Sequence, residues 1–378
     1  MNEANQLIGR IQQLLSLLEA TQALNSDMEE EDVFNLILKQ MAGILGAEAG
    51  TLWVINPDSQ TINAKAVFGP TSDKIMHMTL RLDEGIVGDV IRTGKTGLIE
   101  DVSQDERWSA RVDEESGFVT RSLLTVPLHV KSQKIGAFQL VNKQGGAHFN
   151  EEDRTLATAL ASHSALALHN NQMYIQIYQL FMSLIKTLAR ALDARDPYTA
   201  GHSERVAQYA LILADELRLT KEEKKELERA AILHDIGKLG IPDYILGKQS
   251  GLSDEEFALM KRHTTIGADI LRTIEPKTMI QHSVDVALMH HERFDGSGYP
   301  EGRLAHQIPL FARIVGIADS FDAMTTDRPY KKGRTLEEGL IELERCKGTH
   351  YDAEMVDLFV HYMRHKRSAN EVDADESL

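Results

Sequence analysis

His290-His291-Glu292-Arg293-Phe294-Asp295-Gly296-Ser297-Gly298-Tyr299-Pro300 joins two adjacent imidazoles to a segment whose glycines and proline cannot continue a helix. The residues leading into it, His282 to His291, follow helical apolar spacing, so the doublet closes a helix and Gly296, Gly298 and Pro300 fix an irregular loop. The same spacing recurs on both sides: Ser203 to Leu217, Lys221 to His234, Ser253 to Thr273, Leu310 to Met324, Thr335 to Cys346 and Ala353 to His365. Strand signals are few, so the chain from Pro197 onward predicts an all-α bundle. Its domain is drawn over residues 196–367, followed by a polar, acidic and unstructured tail over 368–378.

Six of the fifteen histidines fall between His202 and His291. Neutral imidazole and carboxylate together suit borderline divalent metals, and bundle helices aim side chains from separate turns at one interior point. The doublet His234-Asp235, read as helical, sends adjacent side chains about 100° apart. One can ligate a single ion while the carboxylate bridges two; His290-His291 poses the same geometry. Lys238 follows His234 by one helical turn, which brings its ammonium beside the cluster. His282, His306 and His350 are isolated and read as hydrogen-bonded structural residues. Glu292 is read as orienting a ligating histidine, and Asp295 as capping the turn.

Composition narrows the classes. Apolar residues make up 42% and charged residues 26%, an ordinary globular balance, and no apolar run approaches the roughly 18 residues that span a bilayer. A net charge of −16 repels nucleic acid and anionic lipid, while bound cations would still admit a small anionic substrate. The single cysteine, Cys346, excludes an intrachain disulfide and a thiolate-rich zinc site. Met1 to Arg10 lacks a signal-peptide pattern, so a cytoplasmic protein is expected.

Before the bundle, residues 1–28 predict an amphipathic helix through Leu7, Ile11, Leu14, Leu15 and Leu18. Residues 29–171 read as an α/β sensor domain: a helix around Val33 to Ile44, then strands at Gly50 to Ile55, Ile62 to Phe68, Ser122 to Val130 and Gly136 to Asn142. Asp153 to Arg195 contains no Pro or Gly, so one long helix or two abutting helices join the halves, with residues 172–195 as a connector. Pairing of such helices predicts a homodimer.

Two family resemblances refine this reading. Gly85-Ile86-Val87-Gly88, Thr93-Gly94-Lys95, Ile99-Glu100-Asp101-Val102, Val126-Pro127-Leu128 and Gly136 to Asn142, in that order, resemble a GAF domain. The resemblance implies a central antiparallel sheet and a regulatory role with a small-molecule ligand. Asn142, Lys143, Phe149 and Asp153 resemble four of the five residues of the NKFDE signature of cyclic-nucleotide-binding GAF domains, with Arg154 in place of the final Glu. They either serve a ligand or brace the last strand against the following helix.

The second resemblance is to the HD superfamily of metal-dependent phosphohydrolases, carried by His202, His234-Asp235 and Asp319. The stretch from His290 to Pro300 resembles the HD-GYP signature in full, continued by Ile308-Pro309, Ala312-Arg313-Ile314, Ala318 to Thr325 and Arg328-Pro329-Tyr330-Lys331. This resemblance implies hydrolysis of cyclic di-GMP to pGpG and, in many family members, onward to GMP. It implies that His202, His234, Asp235 and Asp319 hold a first ion. Asp235 bridges to a second held by His263, His290 and His291, the metals being iron or manganese. Arg328 and Lys331 resemble the family's substrate-phosphate contacts; Lys238, by its spacing, is read as neutralising phosphate charge or assisting the departing oxygen and as catalytic together with Asp235, and Tyr299 as contacting substrate or shaping the pocket. Some family members hold a third metal through a glutamate where this chain has Tyr198, so two ions are expected, with Asp196 nearby. A catalytically silent receptor for a cyclic dinucleotide and a hydrolase of a hybrid cyclic dinucleotide are the alternative readings.

Overall fold

The computed structural model describes residues 30–56, 59–195, 201–248, 250–327 and 332–375, with side chains through 365. The helix expected within 1–28, the positions Asp196, Tyr198, Arg328 and Lys331, and the last three residues lie outside the described residues. The chain divides into two compact units, Met1–Ile177 and Tyr178–Leu378.

In the first unit α1 (Glu30–Leu45) precedes a six-stranded sheet of β1 (Ala47–Asn56), β2 (Thr61–Phe68), β3 (Thr79–Arg81), β4 (Gly97–Ile99), β5 (Leu123–Val130) and β6 (Gln133–Lys143). The strand order is β3-β2-β1-β6-β5-β4 and every pairing is antiparallel. Alternation along β1 sorts the two faces. Leu52 and Val54 join Phe34, Ile37 and Leu38 of α1 on one side, and Trp53 joins Ile86, Val90 and Ile91 on the other. These last residues belong to a helix over Gly85–Thr93, α3, which follows the single-turn α2 (Ser72–Ile75); a short α4 spans Arg111–Ser116. The sequence reading missed α2 to α4 and the three-residue strands β3 and β4; α2, β3 and β4 hold too few residues to show a repeat, and α3, with Gly85 and Gly88 in it, does not read as helical.

A single helix, α5, runs from Glu151 to Arg195 over 45 residues. Asn150 starts it, its side-chain oxygen accepting from the backbone N–H groups of Glu152 and Asp153, both at 3.0 Å.

The second unit is a helical bundle of α6 (His202–Glu216), α7 (Lys221–Leu233), α8 (Asp243–Leu246), α9 (Asp254–Lys261), α10 (His263–Leu271), α11 (Gln281–Met289), α12 (Leu310–Thr325), α13 (Leu336–Arg345) and α14 (Ala353–Asp375). Three of these helices begin with reciprocal capping boxes, Thr220 with Glu223, Ser253 with Glu256, and Thr335 with Glu338. The unit also includes residues from Tyr178, ahead of the boundary drawn at 196, because Met182, Ile185 and Ala189 of α5 pack into the bundle core. Helical backbone in α14 extends to Asp375, into the tail expected to be unstructured.

Three local corrections bear on the site. The span Ser253 to Thr273 is two helices that part at Arg262. His234 and Asp235 lie beyond the last residue of α7, and His290 and His291 beyond the last residue of α11. Both doublets therefore sit at helix ends, with His234 and His290 as C-cap residues still in helical conformation and Asp235 and His291 following them. Among the described residues no helix is long and apolar enough to cross a membrane.

Candidate metal centre

Three imidazoles in the second unit are locked in one tautomer by their partners. The Nδ1 of His234 lies 2.7 Å from the Ala231 carbonyl, that of His263 2.8 Å from the Met260 carbonyl, and that of His290 2.9 Å from the Val286 carbonyl. A carbonyl only accepts, so each Nδ1 carries the proton and each neutral ring offers a lone pair at Nε2. His202 is oriented differently, its Nδ1 meeting the carboxylate of Asp322 at 2.7 Å. Each carbonyl belongs to the turn just before its histidine, so the ends of α7, α9 and α11 themselves orient the rings.

The freed nitrogens converge. Nε2 of His263 and Nε2 of His290 are 3.5 Å apart, and Nε2 of His234 is buried with no hydrogen-bond partner. Such an orphaned buried acceptor is costly unless something else satisfies it. Asp235 lies between: its Oδ2 is 3.4 Å from His234 Nε2 and its Oδ1 3.4 Å from His263 Nε2. His202 Nε2 lies 3.2 Å from Asp319 Oδ1. Three groups have donor atoms within 4.8 Å of one another: His263, His290 and His291; His202, His234 and Asp319; and His234, Asp235 and His290. All seven positions singled out in the sequence are thus brought together, from the starts of α6 and α10, the ends of α7 and α11, and the middle of α12.

Electrostatics prepares the donors. Burial pushes the imidazoles of His263 and His290 down, the latter well below its ordinary value, and takes His291 to about 4. Burial also works against ionised Asp235 and Asp319, yet the Lys238 ammonium holds Asp235, and His202 holds Asp319, well below the usual carboxylate range. His202 differs: burial opposes its charge, but hydrogen bonds to Asp319 and Asp322 prevail and lift it to about 10. The donor set of imidazole and carboxylate, without thiolate, and the orphaned His234 nitrogen fit divalent cations.

Supporting residues complete the site. Asp322, not singled out as a site residue in the sequence, accepts from Arg205 Nε at 2.6 Å and from Thr326 Oγ1 at 3.1 Å while holding His202. Its position three residues after Asp319 on α12 was the available signal, since such residues share a helix face. Asp322→Asn is expected to weaken divalent-metal affinity about 10- to 100-fold with the fold retained, read by chelator competition; unchanged affinity would remove Asp322 from the site. Lys238 lies in a 3-10 turn, Ile236–Gly240, with Nζ 2.8 Å from Asp235 Oδ2. Glu292 does not orient a histidine. Its carboxylate accepts from the backbone N–H groups of Glu301, Gly302 and Arg303 at 2.7–3.1 Å and pins the loop, while Asp295 accepts from Ser297 N at 2.9 Å as the turn cap expected. Tyr299 packs its ring on His291 with centroids 4.9 Å apart. Beside them opens a cleft of about 750 Å³, lined among others by Phe257, His290, His291, Arg293, Tyr299 and His350.

In the first unit, the four NKFDE-like residues act as a brace. The Asn142 side chain accepts from Arg121 N at 2.7 Å and donates to the Val119 carbonyl at 2.9 Å, Lys143 pairs with Asp153, and Phe149 is buried. None of the four lines the cavity of about 720 Å³ in that unit, whose walls include Trp53, Phe68, Trp108 and Gln139.

Comparison with known proteins agrees with both units. Residues 27–169 match the GAF domain family and residues 186–355 the HD domain family. The chain is a GAF domain fused to an HD domain. It is 42% identical over 190 residues to a cyclic di-GMP phosphodiesterase of Thermotoga maritima, covering 50% of this chain and 51% of that protein. It is 43% identical over 173 residues to a cyclic di-GMP phosphodiesterase response regulator of Xanthomonas campestris, covering 46% of each. A 3'3'-cGAMP-specific phosphodiesterase of Vibrio cholerae is 29% identical over 352 residues, covering 92% of this chain and 64% of that protein. The chain thus spans about half to two thirds of the length of these curated relatives.

Proposed function

We propose that this protein is a metal-dependent phosphodiesterase of the HD-GYP type that hydrolyses cyclic di-GMP to pGpG and onward to GMP. The observation that carries the proposal is the convergence of donor atoms from five histidines on the carboxylates of Asp235 and Asp319, three of the rings being turned by main-chain carbonyls so that Nε2 faces inward. His202, His234, Asp235 and Asp319 would hold one divalent ion, and Asp235, His263, His290 and His291 a second. Ions bound there supply Lewis-acid polarisation of the phosphodiester and a water acidic enough to attack at neutral pH.

The chain's own residues do the rest. Water oxygen adds to phosphorus and gives up a proton to solvent as the bond to the 3'-oxygen breaks, and that departing oxygen takes a proton. Lys238, held at Asp235, is positioned as its source. Asp322 keeps the His202 ring oriented, and Tyr299 walls the cleft against His291. Arg328 and Lys331 are proposed to bind substrate phosphate, a task to which the arginine fork is suited.

Chromatography of cyclic di-GMP incubated with manganese-loaded protein tests the reading: pGpG or GMP is expected with metal and neither after chelation. No product from metal-loaded protein would leave a receptor. A hybrid dinucleotide is the second substrate reading, favoured by the cGAMP-specific relative that aligns with 92% of this chain.

Regulation by a small molecule in the GAF cavity is proposed on the strength of its largely aromatic and aliphatic walls. A homodimer is proposed through α5, where Ile177, Leu180 and Leu184 are 61–66% exposed at spacings of three and four. Light scattering is expected to give twice the chain mass for the wild type and the single mass for Leu180→Glu with Leu184→Glu. A monomeric wild type would contradict the dimer.

A further inference from the structure

The cleft beside the histidine cluster carries a cation that the mechanism has not used. Arg293 follows the His290-His291-Glu292 run, is exposed, and lines the cleft. Neighbouring arginines are neutralised: Arg313 binds Asp352 at 2.5 Å and Arg303 binds Glu301 at 2.6 Å. Among the described residues no carboxylate pairs with Arg293. In a chain of net charge −16, an arginine left unpaired at a cleft wall is available to a ligand.

Its backbone is held by hydrogen bonds. The Arg293 carbonyl accepts from Gly296 N at 2.8 Å, Phe294 N donates to the His350 carbonyl at 3.1 Å, and Asp295 N donates to the Thr349 carbonyl at 2.8 Å. The guanidinium therefore works from a rigid base, and its charge reaches across the cleft, adding to burial in pushing the His350 imidazole down.

The cleft's other walls indicate which part of a dinucleotide lies there. Phe257, 44% exposed, and Tyr299 meet edge to face at 6.3 Å, an aromatic wall on which a purine can stack. Phosphate has its own cations at the metal cluster and Lys238. An arginine beside a stacked purine has a selective partner: its fork donates two parallel hydrogen bonds to O6 and N7 of guanine, whereas adenine presents an amino donor at the first of these positions.

We propose that Arg293 reads the O6/N7 edge of a guanine of the bound substrate, making it the residue that sets purine preference. This rests on the cyclic-dinucleotide reading above.

The test compares kcat/KM for cyclic di-GMP, 3'3'-cGAMP and cyclic di-AMP in full-length manganese-loaded wild type, Arg293→Gln and Arg293→Lys. The wild type is expected to favour guanine. Arg293→Gln should lower kcat/KM for cyclic di-GMP roughly 10- to 100-fold while leaving or raising that for cyclic di-AMP, since glutamine suits N6 and N7 of adenine. Arg293→Lys should keep part of the guanine preference. The ratio is insensitive to a partly unfolded preparation, which scales all three rates together. An equal loss on all three substrates, up to complete inactivity, as a phosphate contact or a merely structural residue would give, overturns the assignment, and so does an unchanged ratio. A wild type that turns over none of the three overturns the phosphodiesterase reading, and this inference with it.

Discussion

Replacing His290 and His291 together with alanine is expected to abolish turnover of cyclic di-GMP, a loss of at least about 1000-fold, with one of two metal equivalents gone. Both residues share a donor group with His263, and His290 also belongs to the group around Asp235. Removing them leaves one imidazole where three converged, too few to retain an ion against water. The several kcal/mol of transition-state stabilisation that a cation contributes then disappear, each 1.36 kcal/mol being tenfold in rate. His263 and Asp235 would remain buried with less to satisfy them, so circular dichroism and the thermal midpoint must accompany the assay. Turnover within tenfold of wild type, with metal content unchanged, would remove the doublet from the site.

Gly237→Ala should damage the same site without touching a ligand. A Cβ at Gly237 would fall 1.8 Å from the carbonyl oxygen of His263 and 2.4 Å from Gly267 N. Both are backbone atoms and cannot swing aside, so the turn bearing His234 and Asp235 must move away from the start of α10. Overpacking in a tight interior costs about 1–3 kcal/mol, and a backbone clash belongs at the upper end or beyond. The expected result is a thermal midpoint lower by roughly 6–12 °C, together with metal content below two per chain. Gly316→Ala should act in the same direction but more weakly, its Cβ lying 2.8 Å from the His290 carbonyl. Wild-type stability and metal content in Gly237→Ala would mean that the packing of this turn on α10 does not hold the centre together.

The donors were legible because metal chemistry restricts residue type: a His or Asp that must face a cation cannot be disguised by composition. The bundle was legible because its helices keep a 3.6-residue apolar period, and the sheet's longer strands because Leu52, Trp53 and Val54 alternate between two cores. What orients the donors was not legible. Three of the four ring partners are main-chain carbonyls, which every residue possesses, and the fourth, Asp322, meets His202 across 120 positions of sequence. Helix ends escaped for a related reason. Apolar periodicity passes through Arg262 uninterrupted, although the helix axis does not, and it reaches both doublets although the helices stop just short of them. Glu292 was misjudged because its partners are backbone N–H groups of a loop nine to eleven residues on, which no side-chain pattern reports.

The central claim, a two-cation centre built from these seven side chains, is tested most directly by counting metals in full-length protein purified without oxygen and reconstituted with iron or manganese. The account predicts two divalent ions per chain, falling to one in the His290→Ala, His291→Ala variant. Fewer than one ion per chain in the wild type, or a content that the double substitution leaves unchanged, would contradict it.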